Sequence, residues 1–220
     1  MEPVAGVVTA VPRPGLRELK KQRTRDALVR SALELFATRG YDGTTVDDIA
    51  EAVGVSQRTF FRYFAGKEDV AFHVPRLAET RVVEAVRARP PAEPPLEALR
   101  RAVLGSWDGI TEAVEQIVPV ELHMRVYGVI ESTPALLAAH LRRSTELEER
   151  LARIVAEREG LDVDADPRPR LLVAAVAGAI RVAERLWSAG DDLSVTAMRD
   201  LTTRYLDRLG PDLAGNWRAE

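Results

Sequence analysis

Residues 44–64 read TTVDDIAEAVGVSQRTFFRYF, and this stretch decides the fold. With Val46 at the first position, Ile49 and Ala50 fall at positions four and five and Gly54 at nine. Val55 falls at ten, Phe60 at fifteen and Tyr63 at eighteen. Two short helices joined by a tight turn need these residue types in this order. Ala50 is small where the second helix crosses close above the first. Gly54 supplies a left-handed turn backbone that a Cβ would oppose. Ile49, Val53, Val55 and Phe60 fill the core between the two helices. Thr45 precedes the first helix with Asp48 three residues on, a capping-box variant, and Ser56 precedes the second. The stretch is a helix-turn-helix.

Upstream, Leu19, Ala27, Leu28, Ala32, Leu35 and Phe36 recur at three- and four-residue spacing, which predicts a helix from Leu16 to Gly40 as its stop. The helix-turn-helix segments are predicted over Val46–Val53 and Gln57–Phe64. A fourth helix is predicted from Lys67 to about Arg89, with a kink at Pro75. Pro90, Pro91, Pro94 and Pro95 then form a stiff connector. Further helices are predicted over about 96–118, 120–131, 134–159, 168–189 and 194–209, punctuated by proline and glycine. Thr133 and Ser194 are their clearest N-caps. No stretch alternates long enough to be a strand. The fold class is all-α with about nine helices: a disordered arm over 1–14, a DNA-binding unit over 15–66, and a second helical domain over 67–220.

Composition bounds the chemistry. The chain has 220 residues, no cysteine, 30% charged residues and a mean hydropathy of −0.14. Without cysteine there is no disulfide framework, thiolate metal site or thiol nucleophile. The longest apolar run, Leu171–Ile180, is ten residues, against about 20 for a bilayer span. Glu2 stands where a signal peptide carries basic residues, so a cytoplasmic protein without a membrane partner is expected. The net charge of −3 is unevenly spread. Between Arg13 and Lys67 eleven basic residues face seven acids, a local +4, whereas residues 68–220 carry −6. Such a division of charge gives one end to phosphates and leaves the other for something else.

Residues 44–64, followed by Gly66-Lys67-Glu68-Asp69 and preceded by Ala32-Leu33-Glu34-Leu35-Phe36-Ala37-Thr38-Arg39-Gly40-Tyr41, resemble the DNA-binding domain of TetR-family transcriptional repressors. The resemblance covers about 55 residues. It implies an all-helical homodimer with an N-terminal three-helix DNA-binding unit and a C-terminal domain that binds a small molecule and dimerises. It places Gln57, Arg58 and Phe61 on the exposed start of the recognition helix, against base edges. Thr45, Thr59, Tyr63 and Lys67 match positions that meet phosphate. Phosphate contacts set register and base contacts set specificity.

The connector Arg89–Arg101, and Glu131-Ser132-Thr133-Pro134-Ala135-Leu136 with the charged helix after it, are similar to a TetR branch that includes mycofactocin-system regulators. That branch implies an acyl-CoA-like or other hydrophobic effector. Trp107, His123, Met124 and Tyr127, polar or aromatic groups on apolar helices, are the candidate ligand contacts. The last two helices present broad apolar faces with small residues among them. Leu172, Val176, Ala179, Ile180, Ala183, Trp187, Met198, Leu201 and Tyr205 are therefore the expected dimer interface.

An enzyme is the competing class. His73, His123 and His140 are the only histidines, and no pair has the spacing of a helical metal site. No catalytic residue, metal or cofactor is expected. The expected partners are a double-stranded operator, a small-molecule effector and a second copy of the chain. The alternative is a helix-turn-helix adaptor or activator without a ligand.

Overall fold

The computed structural model describes residues 15–214, with side chains omitted at 108–110 and 211–214, and every regular element among them is an α-helix. The arm expected over 1–14 lies outside the described residues. Ten helices follow one another: α1 (Leu16–Arg39), α2 (Val46–Ala52), α3 (Gln57–Phe61), α4 (Lys67–Ala71), α5 (His73–Arg87), α6 (Pro95–Glu115), α7 (Val120–Ser132), α8 (Pro134–Glu159), α9 (Arg168–Ser188) and α10 (Val195–Ala214).

The tenth helix comes from a break that the proline misplaced. The segment expected as one helix over 67–89 divides at Phe72, whose backbone sits at φ −94° and ψ 10°. Pro75 lies in the first turn of α5, where the missing N–H has no intrahelical partner to lose. Phe72 is 1% exposed, so packing of its ring holds the break. The last helix runs longer than expected, and one of the two expected N-caps is not made by its side chain. α10 runs through Gly210, the expected stop, to Ala214. Thr133 stands at the α8 N-cap without a side-chain bond, while Ser194 Oγ accepts from the Ala197 N–H at 3.1 Å.

The DNA-facing unit does not close on itself. Leu28, Val29, Ala32, Leu33 and Phe36 of α1 share one buried cluster with Ile49, Phe60, Phe64 and Val70. The same cluster continues into Val118, Leu122, Val126, Ile130 and Leu136 of the second domain. A unit of roughly 50–60 residues has little core of its own, and here it borrows α7. Arg30 adds a polar link: its Nε and Nη2 both donate to the Ile117 carbonyl, at 3.2 and 3.0 Å. A second cluster joins α5, α6, α8, α9 and α10 around Val83, Leu99, Val155, Val176 and Leu206. Arg158 of α8 secures the end of α5. Its guanidinium donates to the carbonyls of Val86 and Arg89 at 3.4 and 2.8 Å, and to Pro90 and Glu93 at 3.0 and 3.4 Å. Carbonyls left open at a helix end are thereby satisfied.

Candidate nucleic-acid interface and ligand cavity

The helix-turn-helix is built by its caps. Thr45 Oγ1 accepts from the Asp48 N–H at 3.1 Å, and the Asp48 carboxylate accepts in return from the Thr45 N–H at 2.7 Å. The Thr45 bonds hold the Asp48 carboxyl below the usual carboxylate range. Gly54 takes φ +69°, and the Val55 N–H then reaches the Ala50 carbonyl at 3.0 Å. Ser56 Oγ accepts from the Thr59 N–H at 3.2 Å to open α3. Phe60 is fully buried, and its ring meets that of Phe61 edge to face.

That placement fixes what faces outward. Gln57 and Arg58 are exposed at the start of α3, with no side-chain partner among the described residues. Phe61 is half exposed, against 0% for its neighbour Phe60, so two adjacent phenylalanines have opposite surroundings. The residues expected at phosphate are less free. The Thr45 hydroxyl is bonded to Asp48 at 2.5 Å, and the Thr59 hydroxyl lies 3.0 Å from that of Ser56. Tyr63 has the Arg62 guanidinium over its ring, and that neighbour lowers its phenol pKa.

Lys67 is turned inward. Its ammonium donates to the carbonyls of Tyr41 and Thr44 at 2.7 and 2.6 Å and sits 4.3 Å from the Tyr41 ring centroid. It ties the start of α4 to the loop before α2, and α4 itself is only five residues long. The tight 40–45 loop leaves carbonyls that need a donor, and no spacing argument revealed this. Arg62 is the cation that the motif reading passed over: it is exposed, one residue from Phe61.

In the second domain a cavity of about 200 Å³ opens between α5, α6, α7, α8 and α9. Trp107, His123, Met124 and Tyr127 all line it, one on α6 and three on α7. The His123 and Tyr127 rings meet edge to face at 5.3 Å, and Tyr127 meets Trp187 likewise at 6.2 Å. Burial pushes His123 down to about 4, so it is neutral at pH 7, and it raises the Tyr127 phenol. The opposite wall carries charge. His140 of α8 lies 3.9 Å from Glu184 of α9, and that carboxylate raises the histidine's pKa. Arg143 donates to Glu79 at 2.6 Å, and Arg181 pairs with Glu148. These residues were not picked out from the sequence. A sign was present in the register, since His140 stands four residues after buried Leu136 and Glu184 four after Ile180.

The cavity wall reaches the α4–α5 break. The His140 ring stacks on that of Phe72 at 6.4 Å and 10°, and the Arg143 guanidinium lies 5.4 Å from the Phe72 centroid. Asp69 and Arg76 bridge the break at 2.5 Å.

The expected dimer residues divide by burial. Val176, Ala183, Trp187 and Met198 are 3%, 0%, 2% and 1% exposed inside a single subunit and have no surface to offer a partner. Leu172, Ala179, Ile180, Leu201 and Tyr205 are half-buried. The free apolar side of α9 carries Leu171, Val182 and Leu186 instead, at 65%, 47% and 49% exposure. A continuous apolar helix does not say which side faces inward, and four of the nine expected residues face the subunit's own core.

Among the described residues no helix is long and apolar enough to cross a membrane, and no group of three acidic or histidine side chains is arranged to hold a metal. Residues 28–74 match the family described as bacterial regulatory proteins, tetR family, and residues 93–214 match the MftR C-terminal domain. The chain is 47% identical over 209 residues to the HTH-type transcriptional regulator TcmR of Streptomyces glaucescens, covering 93% of this chain and 91% of that one. It is 31% identical over 187 residues to MftR of Mycobacterium tuberculosis, a protein named for transcriptional regulation of mycofactocin biosynthesis, covering 81% and 88%. Among solved structures, the fatty acid degradation regulator FadR from Bacillus halodurans superposes with a TM-score of 0.55 at 18% identity, covering 95% of this chain and all of that one. That likeness concerns the fold alone. A capped helix-turn-helix, a helical second domain and these two full-length relatives together make the chain a member of the TetR family of transcriptional regulators.

Proposed function

We propose that the protein is a homodimeric repressor that grips a palindromic operator and lets go when a small, mainly hydrophobic molecule fills the cavity in its second domain. The observation that carries the reading is the continuity from cavity to DNA-facing unit: His140 and Arg143 touch Phe72, where α5 passes into α4. A ligand that displaces either side chain acts on that break, and α4 shares its core with α2 and α3. Only a ligand that favours one arrangement over the other shifts the equilibrium, and a few kcal/mol of difference is enough. Gln57, Arg58 and Phe61 read base edges, and Thr45, Thr59 and Tyr63 meet the backbone. Lys67 holds the loop that presents Thr45 instead of meeting phosphate itself.

The partner copy packs on the outer side of α9, around Leu171, Val182 and Leu186, where Ala174 and Gly178 allow close approach. The test is operator binding by the native protein before and after stripping of copurified small molecules, identified by mass spectrometry. A molecule that releases the protein from its operator supports the reading. An adaptor that senses nothing would bind DNA identically in every such arm, and the cavity between α5 and α9 speaks against it.

A further inference from the structure

The polar groups of the cavity fall into two sets, and the difference between them selects a ligand. On the charged wall both cations already face a carboxylate, Arg181 with Glu148 and His140 with Glu184, while Arg143 behind the wall is paired with Glu79. Glu79, Glu148 and Glu184 all line the cavity, whereas Arg181 is its one arginine among the described residues. An anion entering this space meets three carboxylates and no uncommitted cation, and desolvating it without a partner is costly. On the α6–α7 wall the situation is reversed. Tyr127, His123 and Trp107 line the cavity, and the Tyr127 hydroxyl, the His123 ring nitrogens and the Trp107 indole N–H have no hydrogen-bond partner among the described residues. All three are neutral groups, and neutral His123 offers one donor and one acceptor. Neutral donors and acceptors lining an otherwise apolar space take a partner when one is offered.

The rest of the lining is apolar. Val82 of α5, Val103 of α6, Leu147 of α8 and Ile180 of α9 face the same space. The His123 and Tyr127 rings both line this space, edge to face at 5.3 Å, and present surfaces suited to another ring, with buried Trp187 backing Tyr127.

We infer that the effector is an uncharged ring compound with hydroxyl or carbonyl oxygens, which Tyr127, His123 and Trp107 hydrogen-bond while α5, α8 and α9 enclose its apolar body. The inference rests on the sensor reading above and narrows it, setting aside the anionic acyl-CoA class that the sequence pointed to.

Three probes separate the possibilities by quenching of tryptophan fluorescence in the full chain: 1,8-dihydroxyanthraquinone, anthraquinone-2-sulfonate and decanoyl-CoA. The dihydroxy compound is expected to bind at least about tenfold more tightly than the sulfonate, because the two share a ring system while the first offers hydroxyls to the neutral wall and the second brings a charge the cavity leaves unpaired. Tyr127→Phe is expected to weaken the dihydroxy compound by roughly two- to tenfold, the range of one hydrogen bond. Because the hydroxyl has no protein partner, the same variant is expected to keep or raise its melting temperature, so a loss of binding cannot be laid to unfolding. If the sulfonate or decanoyl-CoA binds as tightly as the dihydroxy compound, the inference is overturned and the sensor reading stands. If none of the three binds, and the stripped protein grips its operator no differently from the native one, both fall together.

Discussion

Arg58 and Lys67 are both cations of the DNA-facing unit, and the structure gives them opposite work. Arg58 is exposed without a partner, and Lys67 is fastened to two carbonyls and a ring. Arg58→Ala is expected to leave stability unchanged and to relax discrimination at one base pair by about 1–3 kcal/mol, read by competition binding across operator variants. Intact sequence preference in that variant would remove Arg58 from base reading. Lys67→Met should do the reverse, lowering unfolding stability by about 1–3 kcal/mol as two charge-assisted hydrogen bonds are lost. Urea unfolding checks it, and an unchanged midpoint would show that those bonds are replaced by water at no net cost. Sequence spacing supports the first assignment and misleads on the second. The spacing of Lys67 records its place after α3, whereas its direction depends on carbonyls of Tyr41 and Thr44, more than twenty positions earlier in the chain.

At the scale of elements, the helix-turn-helix was legible because its information is local. Both caps and the Gly54 turn form within four or five residues of chain, and the structure contains them as the sequence spells them. α9 was legible as a helix but not as an oriented one. Its apolar residues run around most of its circumference, so periodicity does not separate the side that covers Met198 from the side that carries Leu186. Burial separates them. Leu186→Glu is expected to shift the protein from dimer to monomer at micromolar concentration, measured by analytical ultracentrifugation, with helix content retained. The same substitution at Trp187, next in sequence, should instead unfold the second domain, since the ring is buried and its Nε1 donates to the Ser194 carbonyl at 3.1 Å. A Leu186→Glu protein that remains dimeric would move the interface elsewhere. The α4–α5 break was illegible for a similar reason, because Pro75 is visible in the sequence and the surroundings of Phe72 are not.

For the molecule as a whole, the histidines set a pH profile. Burial holds His73 and His123 at about 4, below the 6.5 of an unfolded histidine. Between those values the unfolded chain binds more protons than the folded one, so stability falls as pH drops from 6.5 toward 4. His140 has the opposite sign. Its pKa is raised beside Glu184, so its contribution is complete below 6.5 and fades as pH rises through the folded value. Two histidines outweigh one, and the urea midpoint is expected to decline on acidification from pH 6.5 to 5. His123→Leu should flatten that decline and His140→Leu should steepen it. A midpoint that rises toward pH 5 would contradict the burial of both. The charge division read from the sequence belongs to this scale too: exposed Arg58 and Arg62 sit at one end, while several acids of the second domain are paired with arginines of their own, as in Arg170 with Glu149.

The four carbonyls gathered by Arg158 have a mechanical meaning. They pin the C-terminal end of α5 to α8, so in the switch proposed above the helix would act as a lever with its fulcrum at the connector and its moving tip at Phe72, where His140 and Arg143 pack. Fifteen residues make an arm of about 22 Å. A tilt of about 5° at the fulcrum therefore carries the tip by about 2 Å, and a symmetric pair of such arms changes the reach between two recognition helices by up to about 4 Å. Against a half-site repeat of about 34–36 Å, that is enough to take both helices out of register with successive major grooves. In the proposed switch the gain would thus be set by the length of α5 and the firmness of one arginine's anchorage, at the end of the helix farthest from the helix-turn-helix.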